Sequence, residues 1–207
     1  MMEVSMINFQ GDSGEYEMLT TGIELSKDVD GLCLEIGTRL GMSAKTILDA
    51  IRLYCPNKTL VCVDPYGSLL YEGREGQICR LDYDNPMKAT CMGNIWMDVK
   101  ESPVSFKYFD LTDSDYFTYF ADGVPIYELE RRVETKYSFV FFDGPHSVAH
   151  IREEMNFFYP RTSVGGVWVF DDTTPDFYDH KVIHVDLIDM GFILVEQGVK
   201  KAIYVKL

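Results

Sequence analysis

The sequence is short of positive charge: 19 Lys and Arg stand against 33 Asp and Glu, a formal net charge of −14 at pH 7. A surface of that sign repels phosphate backbones. The one adjacent arginine pair, Arg131-Arg132, lies among Glu128, Glu130 and Glu134, so nucleic acid is not an expected partner. Long hydrophobic runs are missing too, and without one of bilayer length a membrane-spanning role is excluded from the expectations. The opening Met1-Met-Glu-Val-Ser-Met-Ile-Asn-Phe9 has neither the basic start nor the long apolar stretch of a secretory signal. The five cysteines form an odd set without Cys-x-x-Cys spacing. Free thiols in a reducing compartment fit that usage, so a cytoplasmic location is expected. Histidine is scarce, at four residues. His146/His150 and His180/His184 have the i, i+4 spacing that can share a zinc ion, but neither pair carries the glutamate of His-Glu-x-x-His. No internal repeat or low-complexity linker divides the chain, and 207 residues suit one α/β domain spanning 1–207. The oligomeric state is not fixed by the sequence, and a homo-oligomer stays open.

What is present is a series of short apolar runs that stop abruptly at glycines or acids. Leu32–Ile36, Thr59–Val63, Val104–Phe109, Tyr137–Phe142 and Val167–Phe170 read as strands buried on both faces, as in a parallel sheet covered by helices. Between the first two lies a helix with Ala44, Ile47, Leu48 and Ile51 on one face. A first helix is expected from Glu15 to Ser26, capped by Asp12 with Glu15 three residues on. Further helices are expected over Met87–Val99, after strand four (Val148, Ile151, Met155 and Phe158 on one face), and from Phe177 to Met190. Phe192–Val195 and Lys201–Val205 read as a closing hairpin about Glu196-Gln-Gly198. The long connection 65–103 carries Tyr66, Tyr71, Tyr83 and Trp96 and has the character of a binding element or lid. Segment 111–136 is aromatic early and charged late, and its structure is left unassigned.

The chemistry is concentrated at the strand ends, which in open α/β sheets border the ligand crevice. Glu35-x-Gly37-x-x-x-Gly41-x-Ser43 joins a strand to a helix. Its glycines permit close approach to the backbone, the helix start offers free N–H groups to an anion, and Glu35 can accept from an ammonium. Arg39 and Met42 stand where Gly-x-Gly-x-x-Gly has glycines, which argues against a dinucleotide site. Asp64 at the second strand tip can hold ribose hydroxyls, and Asp110 at the third an adenine amino group. Asp143, Asp171 and Asp172 end strands four and five, with His146 close by. Three carboxylates converge only with a cation or raised pKa values, and Mg²⁺ or a similar hard ion is the simplest partner. The plainer alternatives stay beside these: glycines that merely turn the chain, acids that terminate strands in water, and a His146 that faces solvent at a helix start.

Glu35-Ile-Gly-Thr-Arg-Leu-Gly-Met-Ser-Ala44, Val63-Asp-Pro65, Phe139-Val-Phe-Phe-Asp-Gly-Pro-His146 and Gly165-Gly-Val-Trp-Val-Phe-Asp-Asp172 together resemble the class I S-adenosylmethionine-dependent methyltransferases. Within them the sequence is most similar to the small metal-dependent O-methyltransferases of macrocin and catechol type. The resemblance covers about Gly31 to Asp172 and implies a doubly wound, mostly parallel seven-stranded sheet with an antiparallel last strand. It implies that Glu35, Gly37, Thr38, Gly41 and Ser43 cradle the methionine moiety, Asp64 the ribose and Asp110 the adenine edge. Asp143, counted with the donor site as well, would join Asp171 and Asp172 as ligands of Mg²⁺ or another divalent ion. His146 falls where related enzymes place a base, a place some of them give to a lysine. The expected reaction is methyl transfer from S-adenosylmethionine to a hydroxyl of a small molecule, with acceptor specificity carried by 65–103 and 111–136. A metal-dependent hydrolase of a small phosphorylated substrate, and a nucleoside-binding protein without turnover, are the two rival expectations.

Overall fold

The structure, a computed structural model, describes residues 9, 11, 13–67, 70–72, 78–80, 83–127 and 131–207. Its strands are β1 (Leu32–Ile36), β2 (Thr59–Val63), β3 (Leu70–Glu72), β4 (Ile78–Arg80), β5 (Ser105–Phe109), β6 (Val124–Tyr127), β7 (Arg131–Glu134), β8 (Tyr137–Phe142), β9 (Thr162–Phe170), β10 (Phe192–Gln197) and β11 (Ala202–Lys206). The helices are α1 (Glu17–Ser26), α2 (Met42–Tyr54), α3 (Asn85–Glu101), α4 (Asp113–Tyr119), α5 (Val148–Phe158) and α6 (His180–Asp189). Seven strands form one sheet in the order β10-β11-β9-β8-β1-β2-β5. Only β11 runs against its neighbours β9 and β10, so the expected doubly wound sheet with an antiparallel last strand is what the chain forms.

Alternation along each strand divides the core into two layers. Leu34, Ile36, Val61, Val63, Val140, Phe142, Trp168 and Phe170 face one side. Cys33, Leu60, Cys62, Phe139, Phe141, Val167 and Val169 face the other, under α1 and α2. The helical stripe expected between the first two strands is fully buried, with Ala44, Ile47, Leu48 and Ile51 at 0% exposure. Each of the three larger ones is worth roughly 1.5–3 kcal/mol relative to an exposed position.

Several boundaries differ from expectation, with local causes. Strand β9 starts at Thr162 rather than Val167, and its pairing with β8 shifts register between Tyr137 and Phe139. Helix α6 starts at His180 because Asp179 caps it, accepting from the Lys181 N–H. The Asp12 cap lies outside the described residues. Helix α1 has no side-chain cap bond, and the Glu15 carboxylate instead accepts the N–H groups of Val199, Lys200 and Lys201 at 2.6, 2.8 and 2.9 Å. The connection 65–103 holds the β3–β4 hairpin and α3, and 111–136 holds α4 and the β6–β7 hairpin.

The sheet's register positions the site. Phe109, Val63, Ile36, Phe142 and Phe170 are successive partners across β5, β2, β1, β8 and β9. The next residue of each strand therefore falls in one row at the carboxyl edge: Asp110, Asp64, Gly37, Asp143 and Asp171. The order of winding reverses between β1 and β8, where α/β sheets open a crevice.

Candidate active site

Gly37 stands at the centre of this row, and its backbone is what the row requires. Its φ is +85°, and a Cβ there would lie 2.0 Å from the Asp143 carbonyl oxygen. Gly41, the residue before α2, has φ +86° and packs against Cys91 and Ile95 of α3. Both glycines are thus demanded by close approach of the chain to itself. Between them Thr38 and Arg39 donate their N–H groups to Asp64 Oδ2, each at 2.8 Å. Burial pushes the Asp64 carboxyl up, against the pull of those two N–H groups.

Glu35, one turn of the strand inside the row, is fully buried and accepts from the Cys62 thiol at 3.1 Å through Oε2. Its other oxygen, Oε1, meets no partner within hydrogen-bond distance and angle, and neither does the buried Thr38 hydroxyl; the Ser43 and Thr38 hydroxyls favour the Glu35 charge only through weaker contacts. Burial pushes Glu35 up to about 7. An orphaned buried carboxylate oxygen is costly unless a donor fills the place. Ser43 is also buried, in the first turn of α2. Asp110 is placed differently: its side chain is half exposed and pairs with Lys88 of α3.

On the other side of Gly37 the acids separate. Asp171 and Asp172 are adjacent, and the chain turns at Asp172, whose φ is +50°. Asp171 points inward, where its Oδ1 accepts from Lys201 Nζ at 2.8 Å, from Ser13 Oγ at 3.1 Å and from the Asp172 N–H at 2.8 Å. Asp172 points outward and meets His146, with Oδ2 and Nε2 3.1 Å apart. The other imidazole nitrogen, Nδ1, is 3.3 Å from the Gly144 carbonyl oxygen. The Gly144 carbonyl and an ionised Asp172 both only accept, so each ring nitrogen faces an acceptor, and the neutral ring can donate to one of them at a time. Burial lowers the His146 pKa, against the pull of Asp171.

The cluster able to hold a cation, among the described residues, is therefore Asp143, His146 and Asp172, whose ligand atoms lie within 4.8 Å of one another. It differs from the expected set by exchanging Asp171, already matched to an ammonium, for His146. Asp143 is raised well above the usual carboxylate range, first by burial and then by the Asp171 charge. Two carboxylates and one imidazole nitrogen face one centre, and with that nitrogen unprotonated all three are acceptors that a shared divalent cation would balance. The donor set fits such an ion.

The histidine pairs are otherwise engaged. His180 Nε2 and His184 Nδ1 both meet the Tyr204 hydroxyl at 3.0 Å, and His150 bonds Ser147. A cavity of about 1040 Å³ opens beside His146, walled by residues that include Phe177, Tyr178, His184, Leu194 and Gln197. Among the described residues, no wall residue of this cavity comes from 65–103 or 111–136, where acceptor specificity was expected. Among the described residues no helix is long and apolar enough to cross a membrane.

The profile of a family described as "Methyltransferase domain" matches residues 34–173. No curated protein sequence matches the chain. Among solved structures, CalS11, a TDP-rhamnose 3'-O-methyltransferase of calicheamicin biosynthesis, is similar with a TM-score of 0.61 at 15% identity, over 92% of this chain and 77% of that one. The O-methyltransferase NovP gives 0.57 at 16% identity, over 92% and 78%. A putative caffeoyl-CoA O-methyltransferase from Staphylococcus aureus gives 0.60 at 11% identity, over 96% and 85%. At these identities the likeness is one of fold.

Proposed function

The chain belongs to the methyltransferase domain family, and from that premise we propose that it transfers a methyl group from S-adenosylmethionine to a hydroxyl of a small molecule, with a divalent cation at the acceptor. The observation that carries this reading is the division of the row about Gly37. An unpartnered Glu35 oxygen and the Asp64 loop lie on one side, and the Asp143–His146–Asp172 cluster lies on the other.

On the donor side, Glu35 Oε1 accepts from the ammonium of the methionine moiety, which returns Glu35 to its ionised form. Asp64 holds the loop with Oδ2 and offers Oδ1 to a ribose hydroxyl. Asp110, half exposed at the end of the row, is within the reach expected for the adenine edge once it leaves Lys88. Methyl transfer from a sulfonium is an in-line displacement, so fixing the two reactants is the protein's main contribution.

On the acceptor side, His146 takes the hydroxyl proton at Nε2. The Gly144 carbonyl holds the ring through Nδ1–H, and Asp172 Oδ2 stabilises the imidazolium that results. The sulfonium carbon–sulfur bond breaks as the carbon–oxygen bond forms, leaving S-adenosylhomocysteine and a methyl ether. In this reading the His146 Nε2 lone pair serves the proton rather than the ion, so Asp143 and Asp172 would hold the cation, which when bound lowers the hydroxyl's pKa and orients its oxygen. The cavity beside His146 has room for a small hydroxylated acceptor.

The test is incubation with methyl-labelled S-adenosylmethionine and a panel of catechols, phenols and sugars, followed by mass spectrometry. Label in an ether product, lost in His146→Ala, supports the reading. Label in no product across the panel, with intact donor binding, favours a binding protein without turnover.

A further inference from the structure

Lys201 has no place in the chemistry above, yet its charged side chain is as inaccessible as that of Glu35. It lies just before β11 and is fully buried. Its ammonium is 2.8 Å from Asp171 Oδ1 and 2.7 Å from Ser13 Oγ. The rings of Tyr16 and Phe141 lie beneath it, each 5.5 Å from centroid to nitrogen. The backbone around it is pinned as tightly. Glu15 accepts the N–H groups of Val199, Lys200 and Lys201, and the Lys200 carbonyl accepts from the Thr173 N–H at 2.8 Å. Ser13, Glu15 and Tyr16 thus close a cage over one cation.

We infer that Lys201 is a positioning residue that aims Asp172 at His146. The connection is continuous. Lys201 and Ser13 fix Asp171 Oδ1 inward, and that oxygen takes the Asp172 N–H at 2.8 Å. A side-chain acceptor for the following N–H holds Asp172 at φ +50°, a conformation that residues with a Cβ rarely adopt. With its backbone so turned, Asp172 presents Oδ2 to His146 rather than continuing the strand. Strand β9 thereby ends in two acids with separate tasks, one matched to an internal ammonium and one turned to His146. The segment Ser13–Tyr16 belongs to the active site by the same connection, although no part of it faces the acceptor cavity.

The inference rests on the proposed role of His146, and its test needs no acceptor and no donor. The protein is labelled with ¹⁵N-histidine, and the His146 imidazole signals are assigned by their loss in His146→Gln. Asp172→Asn defines the signals of a His146 without its carboxylate. Lys201→Met alone leaves Asp171 buried without its cation, so it is paired with Lys201→Met/Asp171→Asn, which removes both charges. Folding is checked by circular dichroism. The expected result is that the double variant moves the His146 signals to the positions seen in Asp172→Asn. Ser13→Ala, which keeps the ion pair and removes one donor, should move them the same way by less. Unchanged His146 signals in the folded double variant, or in Ser13→Ala if the double variant does not fold, would overturn the inference. Titration of the same samples with S-adenosylhomocysteine separates the two ideas: absent binding contradicts the methyltransferase reading and leaves the positioning result standing.

Discussion

Replacing Gly37 with alanine is the sharpest single perturbation of this site. The added Cβ would lie 2.0 Å from the Asp143 carbonyl oxygen, and at least 3.0 Å is needed, so the two segments must part by about 1 Å. Neither is free to move. Gly37 N–H donates to the Val63 carbonyl at 2.9 Å, and Asp143 N–H donates to the Ile36 carbonyl at 3.1 Å. The left-handed φ of +85° adds about 1–2 kcal/mol once a Cβ is present. Forcing backbone apart in a packed interior adds about 1–3 kcal/mol. The sum, about 2–5 kcal/mol, corresponds to a Tm lower by roughly 5–20 °C for a chain of this size. Because the Thr38–Arg39 loop held by Asp64 follows Gly37 directly, S-adenosylhomocysteine binding should weaken as well. Gly93 supplies the control: it is exposed on α3, and a Cβ there meets nothing within 4 Å. Gly93→Ala should stabilise by about 0.5–1 kcal/mol, the ordinary helix preference. Urea denaturation of both variants tests the pair, and equal stability for the two would refute the close-approach account of Gly37.

Glu35 predicts a pH dependence. Its folded pKa is raised to about 7 from 4.5, so its protonated form favours folding and stability is lost as pH rises between those values. Glu35→Gln lacks that loss, and its stability relative to wild type should improve by about 2–4 kcal/mol from pH 4.5 to 7. A difference that stays flat with pH in thermal melts would contradict the assignment. Asp64→Ala removes the acceptor for two loop N–H groups and the proposed ribose contact. It should weaken S-adenosylhomocysteine binding by about 1.5–3 kcal/mol in calorimetry, and unchanged affinity would take Asp64 out of the site. Tyr204→Phe strips the hydroxyl shared by His180 and His184. It should cost about 1–2 kcal/mol in stability while leaving donor affinity unchanged, and a loss of donor affinity in calorimetry would contradict its purely structural place.

The parts of the fold that were legible in the sequence are those with continuous burial. β1, β2 and β8 begin and end where their apolar runs do, because both faces of each strand are covered and a glycine or acid ends each run. Segment 111–136 was opaque for the opposite reason. Helix α4 is one short element, too brief to show a period, and its aromatics are organised by distant partners, as in the stacking of Phe117 on Phe157. The strand-tip acids were readable as a group, since register alone aligns them. Their separate fates were not. That adjacent acids diverge unless the chain turns follows from strand geometry. That the turn serves Asp172 while Asp171 faces an ammonium depends on Lys201 and Ser13, which lie 188 residues apart. In sequence Lys201 opens the expected closing strand Lys201–Val205, and nothing local marks this lysine as buried.

Calorimetric titration of the protein with S-adenosylmethionine, with and without Mg²⁺, tests the central claim most directly. One-site binding is expected in both conditions, because the Glu35 and Asp64 side is complete without the cation, and it should be weakened in Glu35→Gln and unaffected in His146→Gln. No heat of binding at millimolar S-adenosylmethionine, or binding that depends on His146 and ignores Glu35, would contradict it.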